Sequence, residues 1–294
     1  MNNILNYYYQ IIINDDKIDN NGLFVYNNHL FSLYKLKRNI NEVNALFYLN
    51  ELMLAHNINI NKIVKNTFNQ IITVYNEYSY VLIEVNYEYL DKANIKFINS
   101  FYDKKLDILK RNNWGELWSI KIDYIEYQLM HINNSYPIIN ESINYYIGLA
   151  ENAISYFNML DLKDVSLYIE HRRFNKKTIF NPMELVIDYK VRDIAEYIKE
   201  CFFCKKMTII EIQNYLSKLD LDNIDYVLLY VRLLFPSYYF DLYEEIVNNN
   251  KNEKELNSII ELSKEYEKLL YNIFLIIEKR INIIGINWIN YNFV

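Results

Sequence analysis

Glycine is scarce in this chain. Only four occur in 294 residues, Gly22, Gly115, Gly148 and Gly285, and they stand far apart. A phosphate-cradling loop of the GxGxxG or GxxxxGK type needs several glycines close together, so that backbone N–H groups can approach the anion. Neither type can form here. Cysteine is scarcer: Cys201 and Cys204 make one CxxC, and no second pair exists. A structural zinc needs about four ligands, which excludes that class of site. A redox CxxC follows a strand at the start of a helix, whereas this one falls late in a helical pattern, so the pair is read as buried helix cysteines.

Long apolar runs are also missing. None approaches the roughly 18 to 20 residues that a bilayer span needs. Tyr226 to Val231 is typical, stopped by Arg232 and then by Pro236. The first residues lack a basic region followed by a small-residue cleavage site, so no signal peptide is expected and the expected location is cytoplasmic. Concentrated positive charge is absent too. The net charge of −6 is spread over the whole length. The clusters at Lys35, Lys37 and Arg38 and at Lys176 and Lys177 are short enough to be solvated faces. Neither a nucleic acid nor a membrane is an expected partner.

What remains is a composition of 52% hydrophobic and 23% charged residues, that of a globular protein rather than a disordered one. Its length suits one large domain or two lobes. Thirty tyrosines beside only four glycines and three prolines point to an AT-rich genome. The aromatic content is therefore not evidence of a base-stacking surface.

Along the chain the character changes near residue 88. Before it, residues 7–13 form a β-rich run, and Leu23–Tyr26 with Phe31–Lys37 read as a hairpin with Phe31, Leu33, Lys35 and Lys37 on one face. Asn41 is the expected N-cap of a helix over Glu42–Leu52. Two further strands are expected at 70–75 and 80–85, joined by Asn76–Ser79. After it, helices are expected at 93–110, 114–131, 142–160, 192–204, 208–217, 223–234, 237–248 and 253–281. Pro137 is read as a break. Trp114, Trp118, Ile122, Ile125 and Leu129 lie on one stripe. Between the helices, an apolar run meets His171, and the strand Val186-Ile187-Asp188-Tyr189 precedes Asp193 at a helix start.

This order of elements resembles the protein-kinase-like fold of the aminoglycoside phosphotransferase type, and within it the bacterial spore-coat branch (the CotS/YutH type). The residues that carry the resemblance are Phe31 to Lys37, Glu42, Trp114 to Ile122, Val186 to Tyr189, Arg192 to Tyr197, Leu234 to Pro236 and Tyr238 to Asp241. The resemblance implies an α+β bilobal architecture. A small N-lobe of antiparallel strands with one helix would occupy 1–88. A larger helical C-lobe would occupy 89–294 and contain a degenerate catalytic loop at 166–199.

It also implies roles. Phosphoryl transfer needs a cation on the phosphates, a carboxylate to orient it, metal ligands and an acid to accept the hydroxyl proton. Lys35 resembles the phosphate lysine, with Lys37 as its alternative, and Glu42 the orienting carboxylate, together a vestigial nucleotide site. Glu42 would equally serve as a first-turn helix acid. Asp188 resembles a metal ligand and Asp193 a bracing carboxylate. Where active relatives place their base two residues after the histidine, this chain has Arg173, in His171-Arg172-Arg173, and a guanidinium cannot accept a proton near neutral pH. The metal-binding asparagine position holds Thr178, with Asn181 displaced by three residues. His171, Arg173 and Thr178 are thus degenerate catalytic positions.

The expected function is a catalytically inactive kinase-like protein, a pseudokinase with a structural or interaction role resembling spore-coat assembly proteins. Its partners would be proteins, including spore-coat components, with deposition on the coat implied. Candidate contact segments are Tyr7 to Tyr9 and Tyr238 to Phe240, although buried core is the commoner use of such aromatics. No cofactor is expected. ATP and magnesium are implied if activity or nucleotide binding is retained. Two alternatives stand beside this reading: a small-molecule phosphotransferase using Asp188 for magnesium and Glu184 or Asn181 as base, and a nucleotide-binding regulator using Lys35, Glu42 and Asp188.

Overall fold

The computed structural model describes residues 1–19, 22–86, 106–132, 135–174, 178–248, 251–281 and 283–291. The chain forms two compact units. One comprises Met1–Lys110 with Tyr168–Asp188, the other Arg111–Leu167 with Tyr189–Val294.

In the first unit the opening segment is a helix, α1 (Asn2–Tyr9), where a strand was expected from residue 7. Tertiary burial explains the difference. Ile4 and Leu5, and one turn later Tyr8 and Tyr9, lie on one helical face against Phe24, Leu33 and Leu82. Gln10, at φ 55°, ends the helix in the left-handed region, and the β-branched run 11–13 continues without regular structure. The hairpin forms as expected, from β1 (Leu23–Tyr26) and β2 (His29–Lys35), with Lys37 beyond the end of β2.

Helix α2 (Ile40–Ala55) starts earlier than expected, because Asn39 rather than Asn41 caps it. It buries Val43, Leu46, Leu49 and Met53 at helical spacing. The strands β3 (Lys62–Val64), β4 (Thr73–Tyr75) and β5 (Tyr78–Val85) complete an antiparallel sheet of order β1-β2-β5-β3, with β4 also on β5. The β4–β5 turn is only Asn76–Glu77, both at positive φ, as a two-residue hairpin of this twist requires. The short strand β3 was not expected. It is positioned by buried Asn50 of α2, whose Nδ2 donates to the Asn61 carbonyl (2.8 Å) and whose Oδ1 accepts from Ile63 N (3.0 Å).

A two-stranded ribbon, β6 (Leu167–His171) and β7 (Leu185–Tyr189), follows later in the chain. The Phe180 carbonyl, between these strands, accepts from Asn61 N at 2.9 Å. Most of the helix expected at 93–110 lies outside the described residues. Its last residues, 106–109, have no regular structure, and Lys110 pairs with Ile187 in a single parallel bridge.

The second unit is helical: α3 (Trp114–His131), α4 (Pro137–Asn158), α5 (Arg192–Phe203), α6 (Ile209–Leu216), α7 (Asn223–Leu234), α8 (Ser237–Val247), α9 (Asn257–Ile260), α10 (Ser263–Glu278) and α11 (Asn287–Tyr291). Pro137 begins α4 rather than breaking the chain, since the first helical position needs no N–H donor. The helix expected over 253–281 is three pieces, a 3-10 turn at Glu253–Leu256 followed by α9 and α10. Cys201 is buried within α5, whereas Cys204, at its end, is exposed. Tyr239 and Phe240 are core, and Tyr7 of α1 is exposed.

Pro236 separates α7 from α8, and an ion network surrounds it. Arg232 Nε donates to Glu196 Oε1 at 2.9 Å, and its guanidinium lies 5.1 Å from the Trp114 ring centre. Buried Lys199 donates to Glu196 Oε1 (3.2 Å), the Phe235 carbonyl (3.0 Å) and Ser237 Oγ (3.0 Å). Burial alone would raise the Glu196 pKa. Lys199, Arg232 and Arg192 outweigh it and hold the carboxyl at about 2.

Two measurements check this account. Glu196 has a folded pKa near 2 against an ordinary 4.5. Its stabilisation is therefore complete above about pH 4.5 and lost as pH falls towards 2, an effect on the order of 2–3 kcal/mol. Denaturant unfolding across pH 2–6 should show that loss in the native chain and a flatter profile in Glu196→Gln. Gly22 sits at φ +77°, and an added Cβ would lie 2.6 Å from the Leu33 carbonyl oxygen. Gly22→Ala should therefore cost about 1–3 kcal/mol in the same measurement.

Candidate functional site

The ribbon β6–β7 carries the chemistry that the sequence singled out. His171 ends β6, buried at 3% exposure, and its Nε2 lies 2.8 Å from the Ile179 carbonyl. A carbonyl can only accept, so Nε2 must carry a proton and cannot act as a base from that atom. The loop that follows is closed by Thr178, whose Oγ1 donates to the Arg173 carbonyl at 2.6 Å. Asn181 caps the short 3-10 turn Pro182–Glu184, its side chain accepting from Met183 N at 2.9 Å. The strand β7 is buried along its length because its apolar residues face the core on both sides, and it delivers Asp188 with no exposure to solvent.

Two acid–cation pairs stand at the site. Arg172 grips Glu184 as a fork: Nε donates to Oε2 at 3.0 Å and a terminal nitrogen to Oε1 at 2.9 Å. The Tyr34 hydroxyl, from β2, donates to the same Oε1 at 3.0 Å. The second pair is Arg38 with Glu42, at i and i+4 around the start of α2. Glu42 also accepts the backbone N–H of Leu109 at 3.1 Å. Burial is the largest influence on Arg38 and lowers its pKa, with Glu42 opposing and the Arg172 charge lowering it further. Burial also lowers the Arg172 pKa, but its hydrogen bonds and ion pair with Glu184 overcome this and raise it. Burial, followed by the Glu184 charge, raises the pKa of Tyr34.

The structure does not bring Lys35 to Glu42. Successive residues of a strand point to opposite faces. Tyr34 therefore faces Glu184, whereas exposed Lys35 places its ammonium 3.2 Å from the ring centre of Tyr78. Lys37 is exposed beyond the strand. Glu42 stays at the start of α2, where its charge complements the helix dipole. A cavity of about 560 Å³ opens beside it, lined by Asn39, Asn41 and residues 106–110. Asp193 is buried in the first turn of α5. Among the described residues, no three His, Cys, Asp or Glu side chains converge to hold a metal ion.

Tyr34 and Arg38 were missed in the sequence. Arg38 could have been found, because it stands four residues before Glu42, the spacing of a helix-surface ion pair. Tyr34 could not, since its partner Glu184 is 150 residues away.

Comparison with known proteins bears on the family and the fold. Residues 2–273 match the family described as "Spore coat putative kinase YutH". The endospore coat-associated protein YutH of Bacillus subtilis (strain 168) is 30% identical over 184 residues, a match that spans 53% of this chain and 54% of that protein, about half the length of each. Among solved structures, an aminoglycoside phosphotransferase from Alicyclobacillus acidocaldarius superposes with a TM-score of 0.61 at 9% identity, covering 90% of this chain and 95% of that one. The spectinomycin phosphotransferase APH(9)-Ia, solved with ADP and spectinomycin, gives 0.58 at 12% identity, covering 93% and 96%. The likeness shows the fold: a bilobal, kinase-like α+β architecture with an antiparallel-sheet N-terminal lobe and a mostly helical remainder. The family pattern covers nearly the whole sequence, and the chain belongs to the YutH family of spore-coat kinase-like proteins.

Proposed function

We propose that this chain is a catalytically degenerate kinase-like protein with a structural or interaction role, resembling spore-coat assembly proteins. The observation that carries the reading is an exchange of charge. Arg173 stands where active relatives would hold the catalytic carboxylate, and the nearby acid, Glu184, is committed to Arg172 and Tyr34. A carboxylate in that grip has both oxygens engaged by donors and is not aimed at a substrate hydroxyl.

Other features support the same reading. Asn181, the alternative base or metal ligand, caps a turn. Lys35 rests on Tyr78, and Glu42 is held by Arg38 and by Leu109 N. These pairings support the absence of an ordinary magnesium–ATP site, which needs a phosphate-binding cation beside a metal carboxylate such as Asp188. The lobe boundary near residue 88 belongs to this reading. So do protein partners within a spore coat, which the name of the Bacillus subtilis relative motivates.

Transfer or hydrolysis of the ATP γ-phosphate by the purified chain, compared with Asp188→Ala, tests the proposal. The expected result is no turnover that depends on Asp188. Turnover that the substitution abolishes would overturn it in favour of the rearranged phosphotransferase. Thermal unfolding with millimolar ATP, with and without magnesium, tests the regulator alternative. No magnesium-dependent shift is expected, whereas a ligand at 100 times its dissociation constant would add about 2.7 kcal/mol.

A further inference from the structure

Glu184 has the surroundings of a bound anion rather than those of a surface acid. Its side chain is 6% exposed, and three donors converge on its two oxygens: Tyr34 Oη, Arg172 Nε and an Arg172 terminal nitrogen, at 2.9–3.0 Å. The fork of a guanidinium on two oxygens is also the geometry by which arginine holds a phosphate. Arg38 stands beside this group, close enough that its charge acts on Tyr34 and that of Arg172 acts on it. Its side chain is 3% exposed, and one terminal nitrogen serves Glu42. Its Nε and its other terminal nitrogen have no acceptor among the described residues. Buried donors without acceptors are uncommon because each forfeits its bonds to water. Arg38 thus adds two unsatisfied donors beside a site in which Tyr34 and Arg172 already hold an anionic group. A tetrahedral oxyanion has oxygens to spare.

We propose that Tyr34, Arg38 and Arg172 form a binding site for a small phosphate-bearing anion, which Glu184 fills in cis as a tethered competitor. Glu184 ends a 3-10 turn immediately before β7, and its carbonyl is separately bonded to Arg172 N at 2.6 Å. Its carboxylate can thus withdraw by side-chain rotation while the backbone contact remains. Arg172, the most exposed of the charged side chains here at 26%, is the first that an incoming anion meets. The tether gives the carboxylate a high effective concentration, so a free anion competes poorly until Glu184 is removed or drawn aside. This inference goes beyond the degenerate-kinase reading and does not require it.

Thermal unfolding in inorganic phosphate, against chloride at matched ionic strength, tests the site. The native chain should show no phosphate-specific rise in Tm. Glu184→Gln should gain about 2–4 °C once phosphate exceeds its dissociation constant several-fold, and adding Arg172→Met should abolish the gain. Glu184→Asp keeps the charge but shortens the tether by one methylene. It should show a smaller gain, and it decides the matter if the glutamine variant does not fold. AMP acting like phosphate while adenosine does nothing would assign recognition to the anion. No phosphate effect in either Glu184 variant, an equal effect in the native chain, a gain that persists in the double variant, or an AMP effect without a phosphate effect would each overturn the proposal. None of these outcomes bears on catalytic degeneracy, which the γ-phosphate assay addresses separately.

Discussion

A buried carboxylate must be paired, and the first unit is arranged around that requirement at Glu184. Removing the charge from water costs several kcal/mol before any compensation. The compensation is assembled from distant parts of the sequence: Tyr34 from β2 and Arg172 from the residue just after β6. The same requirement recurs at Glu42, met by Arg38 and by a backbone N–H from the segment that also bridges to β7. These contacts tie β2, α2 and residues 106–110 to the 168–188 segment that carries His171 and Asp188.

The second unit resolves a similar problem at Glu196, with Lys199 and Arg232 as partners and the Trp114 and Trp118 rings beneath the guanidinium. Around it the packing is aromatic. Trp118 stacks on Phe235 at 4.4 Å between ring centres, and Tyr146 on Tyr239 at 3.7 Å. Such contacts demand shape rather than a particular catalytic side chain. This explains how a kinase-like architecture persists at 9–12% identity to solved phosphotransferases. The fold needs buried apolar faces and paired charges, and these requirements do not by themselves dictate which chemistry a site performs.

Much of this was legible in the sequence. The β1–β2 hairpin, the buried stripe of α3 and the break at Pro236 follow from local rules of periodicity and backbone restriction. Helix α1 did not, because tyrosine and isoleucine favour strands locally and only the cluster around Phe24 and Leu82 selects the helix. Strand β3 is three residues long and depends on Asn50, so no local signal marks it. Within the site, Asp188 in its apolar strand could be read directly. The companion of Glu42 was read as Lys35, whereas the structure supplies Arg38.

The sequence by itself determined the class of the fold and which chemical groups are present: no glycine-rich loop, and two arginines directly after His171. These depend on residue identity and short-range periodicity. Only the tertiary structure decided which groups meet. Tyr34 and Glu184 are 150 residues apart, and the pleat of one strand turns Tyr34 towards that acid and Lys35 towards Tyr78. Contacts of that range arise from how the chain folds back on itself, which local pattern does not encode.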